Sequence, residues 1–223
     1  MITKETSRRL DPEKVVDSAL AIADDEGPAA VSFRKLAGLH DVTPMALYRH
    51  FKDKDDLLAA LGDRLLSDVV LPEPNDDPWD RQLHKLLTAF VDALRAHPRV
   101  ADLTLSQMLI AEPGLALSER ALELLVEGGF AVDDAAEVGR QAICSLIALV
   151  TSDPIAREVS DPEAREASLR RKRAALGSLS PTKYPRITSA ANALVCPASR
   201  DRYYAVGIDL TVAGICGVLD RGV

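Results

Sequence analysis

The side chains best suited to chemistry in this sequence are cations gathered near the N-terminus. Residues 27–54 carry five basic side chains and only two acidic ones, a local net charge of +3, with two histidines in addition. The basic residues are Arg34, Lys35, Arg49, Lys52 and Lys54, and the acidic ones are Asp41 and Asp53. Guanidinium and ammonium groups neutralise phosphates, and arginine also reads guanine edges through two hydrogen bonds. The window therefore indicates a surface for nucleic acid.

This basic window stands against an acidic chain. All 223 residues together have a formal net charge of −7, which taken alone argues against a nucleic-acid binder. The leading arm is also basic, through Lys4, Arg8 and Arg9. The distribution of charge therefore favours a basic N-terminal region in an otherwise acidic protein.

Four helices are predicted in the first 70 residues, because capping residues precede apolar residues spaced three and four apart. The first runs from Asp11 to Glu26, and the second follows Ser32 and turns Leu36, Ala37 and Leu39 inward. The third starts at Pro44 and runs to Phe51, and the fourth runs from Asp53 to about Val70.

The second and third of these helices have the spacing of a helix-turn-helix, in which the later helix enters the major groove. Thr43 and the free N–H groups of the third helix suit a phosphate, as does Lys54. Arg34 suits a phosphate or a guanine edge. Leu47 is expected to pack inward, and its neighbour Tyr48 to face the DNA backbone.

The string VSFRKLAGLHDVTPMALYRHFKDKDDLLAAL, residues 31–61, resembles the N-terminal domain of the TetR family of bacterial repressors. The matching features are Arg-Lys-Leu-Ala in the second helix, Leu-Tyr-x-His-Phe, and the Lys-x-Lys and Leu-Leu that follow. The resemblance implies a dimer of all-helical chains that reads a near-palindromic operator. It also implies a C-terminal domain whose small-molecule effector separates the two heads.

By position, the resemblance places the DNA contacts on nine residues. They are Ser32, Arg34, Thr43, Pro44, Met45, Ala46, Tyr48, His50 and Lys54. Three of them, at positions 44–46, have no hydrogen-bonding side chain and offer only apolar contact to thymine methyl groups. Sequence reading is therefore expected to rest on Arg34 and on DNA shape.

The predicted fold is all-α, with a helix-turn-helix DNA-binding domain over residues 1–70 and a helical effector-binding and dimerisation domain over residues 71–223. The segment 71–78, LPEPNDDP, is the predicted boundary. Later helices are expected near Trp79–Ala96, Arg99–Ile110, Leu115–Gly128, Asp133–Thr151, Pro162–Leu176 and Ser199–Leu219.

The second domain resembles the tetracycline repressors more loosely, through Trp79, Phe90, His97 and the Glu-Gly-Gly-Phe turn at 127–130. Val70 and Leu86 stand where those repressors hold the drug with a histidine and an asparagine. We therefore expect an apolar or amphipathic effector other than tetracycline, with no cofactor and no metal site. Its candidate pocket residues are Phe90, Leu94, Leu105, Met108, Leu109, Ile143 and Ile147, for which the alternative is a plain hydrophobic core.

The helices at 133–151 and 199–219 are apolar on most faces, which favours a four-helix interface of a homodimer. The alternative is that both are central helices of a monomer. No run of about 18 apolar residues and no apolar leader is present, so we expect a cytoplasmic protein without a membrane partner. The sequence has three widely separated cysteines, which predict neither disulfides nor zinc: Cys144, Cys196 and Cys216. Cys144 and Cys216 lie among aliphatic residues and are expected to be core thiols.

Two other classes of protein compete with this interpretation. No nucleophile elbow, phosphate loop or metal-ligand spacing is found, so we expect no enzyme. A helical protein-interaction module without DNA binding is the main alternative, and it would lack salt-dependent DNA affinity. The basic run at residues 169–173 suggests a second nucleic-acid patch or, as we prefer, a solvated helix face.

Overall fold

The computed structural model describes residues 10–154 and 162–222, and in this part of the chain every regular element is helical. The α-helices there are α1 (Pro12–Glu26), α2 (Phe33–Leu39), α3 (Pro44–Leu47), α4 (Lys54–Ser67), α5 (Trp79–Leu94), α6 (Thr104–Gln107), α7 (Glu112–Glu127), α8 (Val132–Thr151), α9 (Pro162–Gly177), α10 (Pro185–Ser189), α11 (Ala191–Val195) and α12 (Arg200–Leu219). The all-α prediction is confirmed.

The predicted capping residues start the helices of the head, α1–α4. The Asp11 carboxylate accepts a hydrogen bond from the amide of Glu13, at 3.2 Å, and Asp53 accepts one from the amide of Asp56, at 2.9 Å. Such caps satisfy amide groups that have no partner within the helix. The first turns of α1 and α4 are therefore set by local sequence.

The predicted third helix is too long. Regular α-helix ends at Leu47, and residues 48–50 form a turn in which the amide of His50 bonds the carbonyl of Leu47, at 2.9 Å. The predicted inward position of Leu39 is also wrong, because its side chain is 60% exposed. Leu36 and Leu47 are fully buried and form the inner contact of the head.

The body consists of α5, α7, α8 and α12, packed around fully buried side chains that include Phe90 and Leu146. The predicted helix at 99–110 is instead a 3-10 turn, Ala101–Leu103, followed by the single turn α6. Two short helices, α10 and α11, lie between the predicted helices at 162–176 and 199–219.

The last helix, α12, is long and apolar enough to cross a membrane when judged by length and composition alone. Its mean hydropathy is 1.3, and 22% of the stretch is buried. The helix is not a continuous run of apolar residues, because it is interrupted by Arg200, Asp201, Arg202 and Asp209. The buried side, which includes Tyr204 and Ile208, packs on α5 and α8. The other side, which includes Leu210, is left uncovered.

Candidate functional site

The turn between α2 and α3 holds the two helices of the helix-turn-helix at a fixed angle. The Ser32 hydroxyl caps α2 by accepting from the amide of Lys35, at 3.3 Å. At the other end, Asp41 adopts a left-handed conformation with φ of 52°, and the amide of Val42 bonds the carbonyl of Ala37 at 3.0 Å. Asp41 thus ends α2 in the left-handed conformation that glycine usually adopts after a helix.

The short helix α3 presents an exposed edge. Thr43 precedes it, and its side chain makes no capping hydrogen bond, so the hydroxyl is not used within the head. Tyr48 is half exposed, and its ring meets that of Phe33 edge-to-face, with centroids 4.5 Å apart. The contact fixes Tyr48 against α2 while its outer part faces solvent.

The cations of the head divide into paired and unpaired groups. Lys35 forms an ion pair with Glu26, so its charge is partly neutralised within the head. The ammonium of Lys54 donates to the carbonyl of Ala29, at 3.0 Å, and remains exposed. Within the described ranges, no side-chain hydrogen bond or ion pair involves the following exposed cations: Arg34, Arg49 and Lys52.

Two of these unpaired cations, Arg49 and Lys52, were not among the predicted DNA contacts. Both follow the early end of α3, which places them on an exposed turn. The only sequence signal for them was their charge. Met45 is 68% exposed, and Pro44 and His50 are exposed beside it. The basic arm of residues 4, 8 and 9 lies outside the described residues.

A cavity of about 440 Å³ opens between α6, α7 and α8. Its lining is mainly aliphatic, and the polar groups on it are Ser118, Glu137 and Arg140. The apolar part of the lining includes Leu105, Met108, Leu109, Leu117, Ala121, Leu122, Ala136 and Ile143. A concave, mostly apolar site with a few polar groups is typical of small-molecule pockets.

Four of the seven predicted pocket residues line this cavity, namely those at positions 105, 108, 109 and 143. Phe90 and Leu94 are fully buried in the core, and Ile147 is also buried. None of these three is among the lining residues. These three side chains therefore belong to the hydrophobic core, which was the alternative to a role in the pocket.

The uncovered sides of α8 and α12 border a second, open groove. Its lining includes Gln141 and Ser145 of α8 and Leu210 and Gly214 of α12. Leu210 is 68% exposed. A methyl group added at Gly214 would meet nothing within 4 Å, so this side of α12 has no neighbour within the chain. Because glycine has no side chain, the helix surface is flat there.

The head and the body meet along α4. A methyl group added at Gly62 of α4 would lie 2.6 Å from the carbonyl oxygen of Leu103, just before α6. A second link joins His97, after α5, to Asp24 of α1, with 2.6 Å between Nδ1 and Oδ2. Glycine at position 62 therefore allows α4 to pack closely against the backbone just before α6.

The described residues include no group of three or more His, Cys, Asp or Glu side chains placed to hold a metal ion. The three cysteines are free thiols. Burial raises the pKa of the Cys216 thiol, and the negative charges of Asp80 and Asp220 raise it further. Its thiolate form is therefore disfavoured at neutral pH.

Two family models match the chain. "Bacterial regulatory proteins, tetR family" matches residues 15–61, and "Tetracyclin repressor-like, C-terminal domain" matches residues 71–219. A curated HTH-type transcriptional regulator of Saccharopolyspora erythraea is 28% identical over 152 residues. That alignment covers 68% of this chain and 64% of the relative, so the chain matches just under two thirds of the relative's length.

Two solved structures are similar to the chain along most of its length. The Streptomyces coelicolor TetR family protein ActR in complex with actinorhodin has a TM-score of 0.75 at 26% identity, covering 93% of this chain and 97% of ActR. BioQ with its double-stranded DNA operator has a TM-score of 0.58 at 27% identity, covering 73% of this chain and 97% of BioQ.

Proposed function

The chain belongs to the TetR family of bacterial regulatory proteins, and from this premise we propose that it is a transcriptional repressor released from DNA by a small molecule. It binds a near-palindromic operator as a homodimer in the cytoplasm. The observation that carries the proposal is the helix-turn-helix with its exposed, unpaired cations. The operator complex of BioQ and the actinorhodin complex of ActR support the two halves of the activity.

The two family matches suggest which part of the chain carries each function. Residues 1–70 form the DNA-binding domain, and residues 71–223 bind the effector and dimerise. In the head, Arg34 is proposed to read base edges, and the exposed Met45 to contact thymine methyl groups. Ser32, Thr43, Tyr48 and the other predicted contact residues are proposed to hold the DNA backbone or to pack against it.

Lys54→Ala is expected to weaken binding to operator and to unrelated DNA equally, because an ammonium group neutralises phosphate without reading sequence. The slope of log affinity against log salt should fall by about 0.9, the value for one released counterion. Arg34→Ala should instead weaken the operator by about 1–3 kcal/mol more than unrelated DNA. Titration against DNA flanking the chain's own gene at several salt concentrations measures both.

Lys172→Ala is the matched control, since it removes an equal charge from the exposed face of α9. It should leave the salt slope unchanged. If the slope falls for Lys172→Ala and not for Lys54→Ala, the DNA surface lies on α9 and the proposed head contacts are wrong. If no variant and no salt change affects binding, the helical interaction module is the better explanation.

The effector is proposed to occupy the cavity between α6, α7 and α8 and to act on the head through α4. Leu105 and Met108 line the cavity, and Leu103, directly before α6, touches α4 at Gly62. An effector that prefers a shifted α6 would tilt α4 and change the distance between the two heads of a dimer. A ligand shifts such an equilibrium only by its preference for one state.

Gly62→Ala is expected to weaken operator binding without any effector, because the new methyl group must push α4 away from the backbone of Leu103. Overpacking of this kind costs about 1–3 kcal/mol of folding stability. Gly177→Ala in α9 is the control, since a methyl group there meets nothing within 4 Å. Operator titration and urea unfolding of both variants test the prediction.

The informative outcome is the combination of the two measurements on Gly62→Ala. Lower stability with weaker operator binding supports α4 as the mechanical link. Lower stability with unchanged operator affinity would mean that the α4–α6 contact is only packing, and the proposed route from the cavity to the head would be wrong.

A further inference from the structure

Among the residues that the structure describes, charged groups line only one wall of the cavity between α6, α7 and α8. Its α8 wall carries Glu137 and Arg140, three positions apart, together with the small residues Ala136 and Gly139. The opposing walls are aliphatic apart from Ser118. A ligand in this cavity therefore meets its charged partners along α8 alone.

Arg140 is without a partner in the structure. It makes no hydrogen bond or ion pair with any residue in 10–154 or 162–222, including Glu137. The contrast is Arg120 on the neighbouring helix α7, which pairs with Glu123 at 3.0 Å and with the amide oxygen of Gln82 at 2.8 Å. The Arg140 side chain is exposed and borders both this cavity and the α8–α12 groove, and its guanidinium keeps all five N–H donors available to a ligand.

We propose that the effector is an apolar ring compound carrying an acidic group, a carboxylate or sulfonate, that binds Arg140. This inference rests on the proposed effector role of the cavity and names the ligand class that it takes. A planar guanidinium matches two acceptor oxygens of one acidic group, which makes such pairs stronger than neutral hydrogen bonds. The aliphatic walls at Leu117 and Ile143 take the ring body.

Glu137 restricts the chemical class of the proposed effector further. Its carboxylate lies on the same helix and repels a second acidic group, but it accepts a hydrogen bond from a hydroxyl. The effector therefore carries its negative charge at one end, directed to Arg140, and a neutral or hydrogen-bond-donating edge beside Glu137. A cation would meet the reverse arrangement, with Glu137 as its partner and Arg140 opposed to it.

The test uses two fluorescent probes that differ in one group. 1-Anilinonaphthalene-8-sulfonate has an apolar ring body with a sulfonate, and N-phenyl-1-naphthylamine is the same body without it. The sulfonate probe should bind the full-length protein more tightly. Arg140→Gln should weaken that probe by at least about tenfold, the loss expected for hydrogen bonds to a charged group, and leave the neutral probe unchanged.

Glu137→Gln is the matched control on the same helix, and it should leave the sulfonate probe bound equally or more tightly. Equal binding of both probes to the Arg140→Gln variant and to the unaltered protein would overturn the acidic ligand class. So would tighter binding of a cationic naphthalene probe than of the sulfonate probe to the unaltered protein. Sedimentation must show the same oligomeric state for each variant, because both positions also border the α8–α12 groove.

The cavity itself is tested separately by Ala121→Phe, which places a ring in it, and by competition between the two probes on the unaltered protein. If the probes compete and Ala121→Phe weakens both, the cavity is the binding site, and Arg140→Gln alone decides the ligand class. If the probes do not compete and Ala121→Phe weakens neither, the proposed effector site is wrong together with the inference built on it. DNA binding by the head is decided independently by the operator titration.

Discussion

Asp153→Ala is expected to lower the free energy of unfolding by about 3 kcal/mol, the lower end of the cost of removing one partner of a buried ion pair. The Asp153 side chain is fully buried two residues after the end of α8. Its Oδ2 accepts from Nε of Arg200 at 2.6 Å and from the hydroxyl of Tyr204 at 2.7 Å. The lower end applies because the Arg200 side chain is 36% exposed and regains some water contact.

The hydrogen bond from Tyr204 is lost together with the ion pair and contributes to this loss. Burial, and after it the hydrogen bond to Asp153, raises the pKa of Tyr204, so its hydroxyl stays protonated and donates. Without Asp153, this buried hydroxyl and the Arg200 guanidinium both lose the same acceptor. Unsatisfied buried donors cost more than the bond that they formed.

The matched control is Asp201→Ala, which removes a carboxylate from the neighbouring turn of α12. Asp201 pairs with Arg95 at 2.9 Å, but its side chain is exposed, and exposed pairs contribute less than about 1 kcal/mol. Urea unfolding followed by circular dichroism compares the two variants. Equal losses for both would mean that Asp153 does not organise the α8–α12 junction.

Local signals in the sequence were sufficient for most helix starts. Asp11, Ser32 and Asp53 are predicted as caps from residue type and position, and Ser199 only as the approximate start of the last helix. In the structure each of the four accepts a hydrogen bond from an amide in the first turn. Capping is decided by two or three consecutive residues, so it needs no knowledge of tertiary contacts. The family resemblance then supplied the arrangement of the head.

Long-range contacts could not be predicted from the sequence. Asp153 and Arg200 are 47 positions apart, and no local pattern joins them. At Gly207 of α12, an added methyl group would clash with the Leu149 side chain of α8, so this glycine serves packing of α12 on α8 within the chain, which no local pattern indicates. The sequence also does not distinguish core residues from pocket residues. Phe90 lies in the core and Leu109 lines the cavity, but both are apolar, and nothing local separates them.

The uncovered face of α12 bears on the proposed dimer. Val206 and Leu210 are exposed there, one helical turn apart, and the small residues Ala213 and Gly214 extend the face without raised side chains. Small residues let two helices approach closely, and a twofold axis would bury this face against its own copy. Together with the adjoining side of α8, it accounts for the apolar surface that α12 leaves outside the core.

Leu210→Arg is therefore expected to convert the dimer to a monomer, because two copies of the new charge would meet near the twofold axis without partners. Operator affinity should fall by about 100-fold or more, since a dimer gains that much from holding two half-sites at once, whereas binding to a single half-site should change little. Val126→Arg on α7 is the control, an exposed apolar residue outside the groove. Sedimentation equilibrium and titration against full and half operators measure both effects. A Leu210→Arg protein that remains dimeric would place the interface elsewhere, and a monomer that still binds the full operator tightly would show that one head is sufficient for recognition.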